Sequence, residues 1–226
     1  MNWNDSGYLL SKNKYNENSI IVEIFTENHG KCSGIIFGAS SKKIKSYLEI
    51  GNKLHINYTY KNHGKTGYFK PEILNATTPM YFDNRKKLMC IASAMNLIKL
   101  VTVEAQESSD IYYLIDNFFN ILSSENWTKK YIFWELELLK LVGFDLELKK
   151  IVSEEIINNE RKYFVQNSSE KKNVPSFLVE INDNKIDKIN LIKGLTLVGD
   201  YLEKNILRPN NINYPLSRVD FINILK

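Results

Sequence analysis

Cysteine is nearly missing from this chain of 226 residues: Cys32 and Cys90 are the only two. That count, with their wide separation, argues against a disulfide framework or a CxxC metal knuckle and leaves both as small buried apolar residues. Histidine is equally scarce, with His29, His55 and His63 as the whole set, so no thiolate or imidazole ligand follows Cys90. Long hydrophobic runs are absent as well. Charge interrupts every apolar stretch within about a dozen residues, short of the roughly 20 that a bilayer span requires. Met1-Asn2-Trp3-Asn4-Asp5 has neither the basic nor the apolar region of a secretion signal. These absences lead us to expect a soluble, cytoplasmic protein without a membrane partner. P-loop, GxGxxG, GxSxG and HExxH patterns are missing too. Glu135 and Glu137 stand two apart on a predicted helix, so they do not face each other as an acid/base pair; one reads as buried, the other as solvated. We therefore expect no enzymatic activity, no cofactor and no metal.

What the chain does have is lysine, unevenly placed. Residues 1–74 carry ten Lys against six Asp and Glu, whereas residues 75–226 carry twenty of each sign, so the whole net charge of +4 lies in the first third. Such a local positive field suits a polyanion, although a solubilising lysine surface would produce the same count.

The same third has strand-and-turn composition. Seven of the ten glycines fall at or before Gly67. Lys53–Lys61 alternates Leu54, Ile56, Tyr58 and Tyr60 with polar residues, as a strand with one buried face does. The Asn62-His63-Gly64 turn and a return strand over Gly67–Leu74 complete a hairpin. Three further strands are predicted at Gly7–Lys14, Ser19–Phe25 and Lys31–Phe37. Five short antiparallel strands suggest a closed barrel of the OB type, with an SH3-like barrel as the alternative. After Pro79 the period becomes helical, with helices predicted at Leu88–Val101, Asp110–Leu122, Thr128–Val142 (stopping at Gly143) and Asp187–Leu207, and a short one after Pro215. Ile151–Ser176 is polar and turn-rich, with a small hairpin around Lys162–Val165. The fold class is thus α+β: an OB-type barrel over 1–78, then a helical domain over 79–226.

Lysines interleave with aromatics in the barrel half. Lys12 and Lys14 lie near Tyr8 and Tyr15, Lys45 near Tyr47, and Lys61 and Lys65 near Tyr60 and Tyr68. In a single-strand groove, lysines meet phosphates and ring faces stack on bases. Lys42, Lys43 and Lys45 are the foremost phosphate contacts, in a predicted loop after Gly38-Ala39-Ser40-Ser41, where small residues let a backbone come close. Lys12, Lys14, Lys31, Lys61, Lys65 and Tyr47 complete the predicted DNA-binding set. Tyr58, Tyr60 and Phe69 read as barrel core.

Particular residues also resemble a known family. Asn18-Ser19-Ile20-Ile21-Val22-Glu23-Ile24-Phe25-Thr26-Glu27-Asn28-His29-Gly30, then Phe37-Gly38-Ala39-Ser40-Ser41-Lys42-Lys43, and the later Trp134-Glu135-Leu136 run ending in Gly143-Phe144, resemble the RecO recombination-mediator family. The resemblance implies binding of single- and double-stranded DNA, strand annealing, and work with the single-stranded-DNA-binding protein SSB and with RecR to load the RecA recombinase. Some members hold zinc with four cysteines in the helical half; here that site is absent, and Ile151 stands where its first ligand would be sought. In some relatives basic residues just before the aromatic-Glu pair hold the acidic SSB tail. Here Ile132 and Phe133 take those places, and Lys129, Lys130 and Arg218 are the substitutes considered. An OB-fold RNA-binding or translation-associated protein is the competing binding function; a nuclease or hydrolase is the competing enzyme.

Overall fold

The computed structural model describes residues 2–60, 66–166, 171–180 and 187–226. Strands β1 (Asn2–Asn16), β2 (Ser19–Thr26), β3 (Gly30–Phe37), β4 (Lys53–Thr59) and β5 (Gly67–Asn75) close into a barrel in the order β1-β2-β3-β5-β4. Every neighbouring pair is antiparallel except β3 and β5, which run parallel through only Gly34–Gly67 and Ile35–Tyr68. A short helix, α1 (Lys42–Tyr47), stands between β3 and β4. This strand order and helix placement make it the OB type and not the SH3-like alternative.

Alternation drives the barrel's formation. Leu9, Val22, Ile24, Cys32, Ile36, Leu48, Leu54, Ile56 and Phe69 meet inside it, and Ile44 and Tyr47 of α1 pack against them. Phe69 is core as expected, and Tyr58 is half-buried, stacked on Trp3 with ring centroids 4.6 Å apart. Tyr60 departs from expectation: it lies past the end of β4 and is exposed. The strands run further than predicted at β1 and slightly less far at β4. The predicted Asn62-His63-Gly64 turn lies outside the described residues.

The helices are α2 (Arg85–Val101), α3 (Ser109–Ser123), α4 (Trp127–Leu141), α5 (Leu148–Ile151), α6 (Lys188–Leu202) and α7 (Leu216–Leu225). Met1–Asn120 with Pro215–Phe221 form one compact unit; Ile121–Tyr214 with Ile222–Lys226 form a second. The switch from strand to helix falls between Asn75 and Arg85, whereas the first unit continues through α2 and most of α3. Within that unit Tyr8 of β1 projects outward, stacking on Phe119 of α3 with centroids 5.8 Å apart and meeting Tyr112 at a tilt of 52° with centroids 5.7 Å apart. Its hydroxyl donates to Asp116, which also takes Lys53 at 2.8 Å. These bonds hold the Asp116 carboxyl below the usual carboxylate range.

In the second unit, Tyr131 and Trp134 of α4 are buried and stacked, and Gly143 ends the helix in the left-handed region at φ +88°. Glu135 is buried and Glu137 is solvated, as expected. The polar stretch after α5 forms a three-stranded antiparallel sheet of β6 (Val152–Ile157), β7 (Glu160–Gln166) and β8 (Lys171–Val174); Lys162–Val165, expected as a hairpin, lies inside β7, and the β6–β7 turn falls at Asn158–Asn159. Tyr163 anchors it, its hydroxyl donating to Glu180 Oε1 at 2.5 Å. The predicted helix to Leu207 divides at Leu202, after which Glu203–Leu207 forms a wider π-type turn.

Candidate nucleic-acid interface

At one end of the barrel the β1–β2 hairpin tip and the segment after β3 are tied together. The Asn18 carbonyl accepts the backbone N–H groups of Gly38 at 2.8 Å and Ala39 at 3.2 Å, and the Ser40 hydroxyl bonds the Asn18 side chain. Ser41 then caps α1 by accepting the Ile44 N–H at 3.3 Å. Lys42, Lys43 and Lys45 therefore sit on a helix and not in the predicted loop. Burying Ile44 and Tyr47 against the barrel turns the polar side outward, so all three lysines are exposed together. Lys14 is exposed on the projecting hairpin nearby, beside Tyr15. Lys12 is partly engaged: its ammonium donates to the Leu48 carbonyl at 2.5 Å and lies 3.4 Å from Glu49, with 37% of the side chain exposed. Glu17 and Glu49 are the carboxylates within these segments, so the end is strongly positive.

The structure removes two lysines from the charge that composition suggested. Lys31 is buried, and its ammonium donates to the carbonyls of Lys99 at 2.7 Å and Thr102 at 2.5 Å, closing the C-terminal end of α2. Burial holds its pKa below the ordinary lysine value. It is a structural tie, not a phosphate contact. Lys53 is paired with Asp116 and lies over the rings of Tyr8 and Tyr112. Tyr47 is half-buried against the core, with its carbonyl accepting Asn52 Nδ2 at 3.1 Å, so it braces α1 and does not offer a free ring. Lys61 and Lys65 lie outside the described residues.

The residue that sequence reasoning passed over is Phe37. It is 59% exposed and stacks on half-buried Tyr68 with centroids 5.2 Å apart and an interplanar angle of 28°. Its signal was parity: with Cys32 and Ile36 inside the barrel, Phe37 must face out at the end of β3. Lys70 shares the outward parity of Tyr68 on β5, opposite Asn57 of β4, and is exposed.

At the other end, Asp5 is buried and accepts the backbone N–H groups of Ser6 and Asn28 and the Asn28 amide, with His29 Nδ1 2.8 Å away. His29 in turn stacks on Trp3 at 3.9 Å. Among the described residues no group of three His, Cys, Asp or Glu is arranged to hold a metal ion. Nor is any of their helices long and apolar enough to cross a membrane. Of the partner-binding candidates, Lys129 and Lys130 stand in the first turn of α4, Lys129 over the Phe177 ring at 5.8 Å and Lys130 exposed with its ammonium on Ser124. Arg218 is fully buried and cannot rim a groove.

An OB-type barrel with a lysine-rich end, followed by helices and a small sheet, defines the class: an OB-fold protein with an appended helical part. The family is narrower. Residues 1–76 match the family described as "Recombination protein O N terminal" and residues 83–210 that described as "Recombination protein O C terminal". The chain belongs to the recombination protein O (RecO) family of DNA repair proteins. It is 29% identical over 230 residues to the DNA repair protein RecO of Ehrlichia chaffeensis, covering 93% of each chain. To that of Rhodospirillum centenum it is 22% identical over 236 residues, 98% of this chain and 94% of the relative. To that of Rickettsia canadensis it is 33% identical over 150 residues, 66% of this chain and 62% of the relative.

Proposed function

We propose that this chain is a non-catalytic recombination mediator that binds single- and double-stranded DNA through the lysine-rich end of its barrel and anneals complementary strands. The observation that carries the reading is the common exposure of Lys42, Lys43 and Lys45 on one side of α1, fixed by Ile44 and Tyr47 beneath. Ammonium groups meet phosphates without reading bases, so two strands of any sequence are screened from each other and brought together. Family membership supports the finer assignments, in which the chain works in the cytoplasm on nucleoid DNA, engages the acidic SSB tail and RecR, and loads RecA. Lys129 and Lys130 are the tail-binding candidates.

Each phosphate contact releases condensed counterions, so log K falls with log salt by about 0.7 per contact on single strands and about 0.9 on duplex. Replacing Lys42, Lys43 and Lys45 together by alanine is expected to weaken binding to every sequence and flatten the salt slope by about 2. A folded triple variant that keeps its affinity and slope overturns the phosphate role. For the partner assignment, an SSB C-terminal peptide should retain the wild-type protein in a pull-down and lose it when Lys129 and Lys130 are changed to alanine.

A further inference from the structure

We infer that Phe37 and Tyr68 form a stacking site for unpaired nucleobases, separate from the lysines that hold phosphate, and that preference for single strands resides there. The inference rests on the DNA-binding reading above and adds the chemistry which that reading lacks. Lysines on α1 attract any polyanion, duplex or single strand, whereas an exposed ring face takes only a base that is already out of its stack.

Three observations converge on the pair. Phe37 ends β3 with 59% of its surface open, yet it is not loose: it is stacked on Tyr68 at 5.2 Å, and Tyr68 is held in register between Ile35 of β3 and Thr59 of β4. A platform so placed is rigid before any ligand arrives, which lowers the ordering cost of binding. Its surroundings suit a nucleic acid and not an apolar partner. Lys70 lies two residues along β5 on the same outward face, about 7 Å between Cα atoms at strand spacing, and Asn57 and Thr59 stand opposite on β4. Four residues, Gly38 to Ser41, separate Phe37 from Lys42, so the ring stands directly before the cationic helix in the chain. For the site to act, a strand held by phosphate on α1 must lay its bases across the pair, whose Phe37 stands four residues away in the chain. The outward ring of Tyr8, by contrast, is covered by Phe119 and Tyr112 and offers no such surface.

The test uses the full chain and three labelled probes of equal length: oligo-dT, a fully abasic strand, and a blunt duplex. Wild-type protein is expected to bind oligo-dT roughly fivefold or more tightly than the abasic strand, since even one stacked base typically contributes about that factor. Phe37→Leu with Tyr68→Leu keeps apolar volume but removes the ring faces. It should bring oligo-dT down to the abasic level while leaving duplex affinity and salt slope unchanged. Phe37→Trp should retain or raise the preference for oligo-dT. Equal wild-type binding of the two single strands, or a double Leu variant that keeps the preference, overturns the stacking site. Failure of the phosphate reading shows separately, as an unchanged salt slope in the α1 lysine variant.

Discussion

At the scale of single residues, the structure separates lysines that serve the fold from lysines that face solvent, a distinction that composition alone cannot draw. Lys31 closes the end of α2 with two carbonyl contacts, so Lys31→Met, which keeps the stem and loses the ammonium, should lower stability by about 1–3 kcal/mol in urea unfolding and leave the salt slope of DNA binding intact. A loss of slope without loss of stability would return Lys31 to the phosphate set. Gly30 stands at φ +64°, where an added Cβ would lie 1.9 Å from the Gln106 carbonyl oxygen. Gly30→Ala should therefore cost at least about 2 kcal/mol by the same measurement. Asp5 carries the clearest pH dependence. Burial raises its pKa, but the bonds from His29, Asn28 and Ser6 outweigh that and leave it lowered overall. A carboxyl depressed in the folded state contributes stability above its unfolded pKa of about 3.9, and that contribution is lost as pH falls through the lower folded value. Asp5→Asn should be less stable at neutral pH by on the order of 1–3 kcal/mol and should show a flatter acid limb below about pH 4. An unchanged limb would place the acid sensitivity elsewhere.

At the scale of elements, β4 was legible from its period-2 alternation and the other barrel strands from short Ile-, Val- and Phe-rich segments bounded by turns, whereas α2 and α4 were legible because their buried residues recur at helical spacing. Misreadings occurred where tertiary contacts decide. Nothing local marks Lys42–Tyr47 as helix except the Ser41 cap; Ile44 and Tyr47 become a helical face only when the barrel end is there to receive them. The sheet β6–β8 is not legible in the sequence, and the hairpin expected around Lys162–Val165 misplaces the turn, because its strands are mostly exposed on both faces, which erases the alternation. Of the candidate site, the lysines on α1 and Lys14 were legible as charge. Burial of Lys31 and Tyr47 and exposure of Phe37 were not, since each depends on which outward face another element covers. The segment after α2 is the clearest case. It lies along the N-terminal half of β3, where Ala105 N–H donates to the Lys31 carbonyl at 2.7 Å and Glu104 accepts the Ser33 N–H at 2.7 Å. It thus covers a strand edge that β5, paired only at Gly34 and Ile35, leaves open. Glu104→Ala should speed hydrogen exchange at the Ser33 amide selectively; unchanged protection there would show that the segment does not seal the edge.

At the scale of the whole molecule, the barrel does not stand alone, since α3 covers Tyr8 and the end of α2 receives Lys31. A fragment of residues 1–78 is expected to unfold at lower urea than the full chain, because it exposes the Tyr8 ring and leaves Lys31 without its carbonyls. Equal stability of fragment and full chain would contradict this. Purified protein should contain no stoichiometric zinc by elemental analysis, as no Cys or His follows Cys90. Both thiols of the chain are buried, and burial pushes that of Cys32 up to about 11. Since the thiolate is the species that oxidants attack, a thiol whose pKa is raised by burial is slow to react at neutral pH even before access is considered. With no exposed sulfhydryl to form sulfenic acid or mixed disulfides, the folded protein should resist peroxide concentrations that inactivate thiol-dependent enzymes, and thus stay competent under the oxidative stress that breaks DNA.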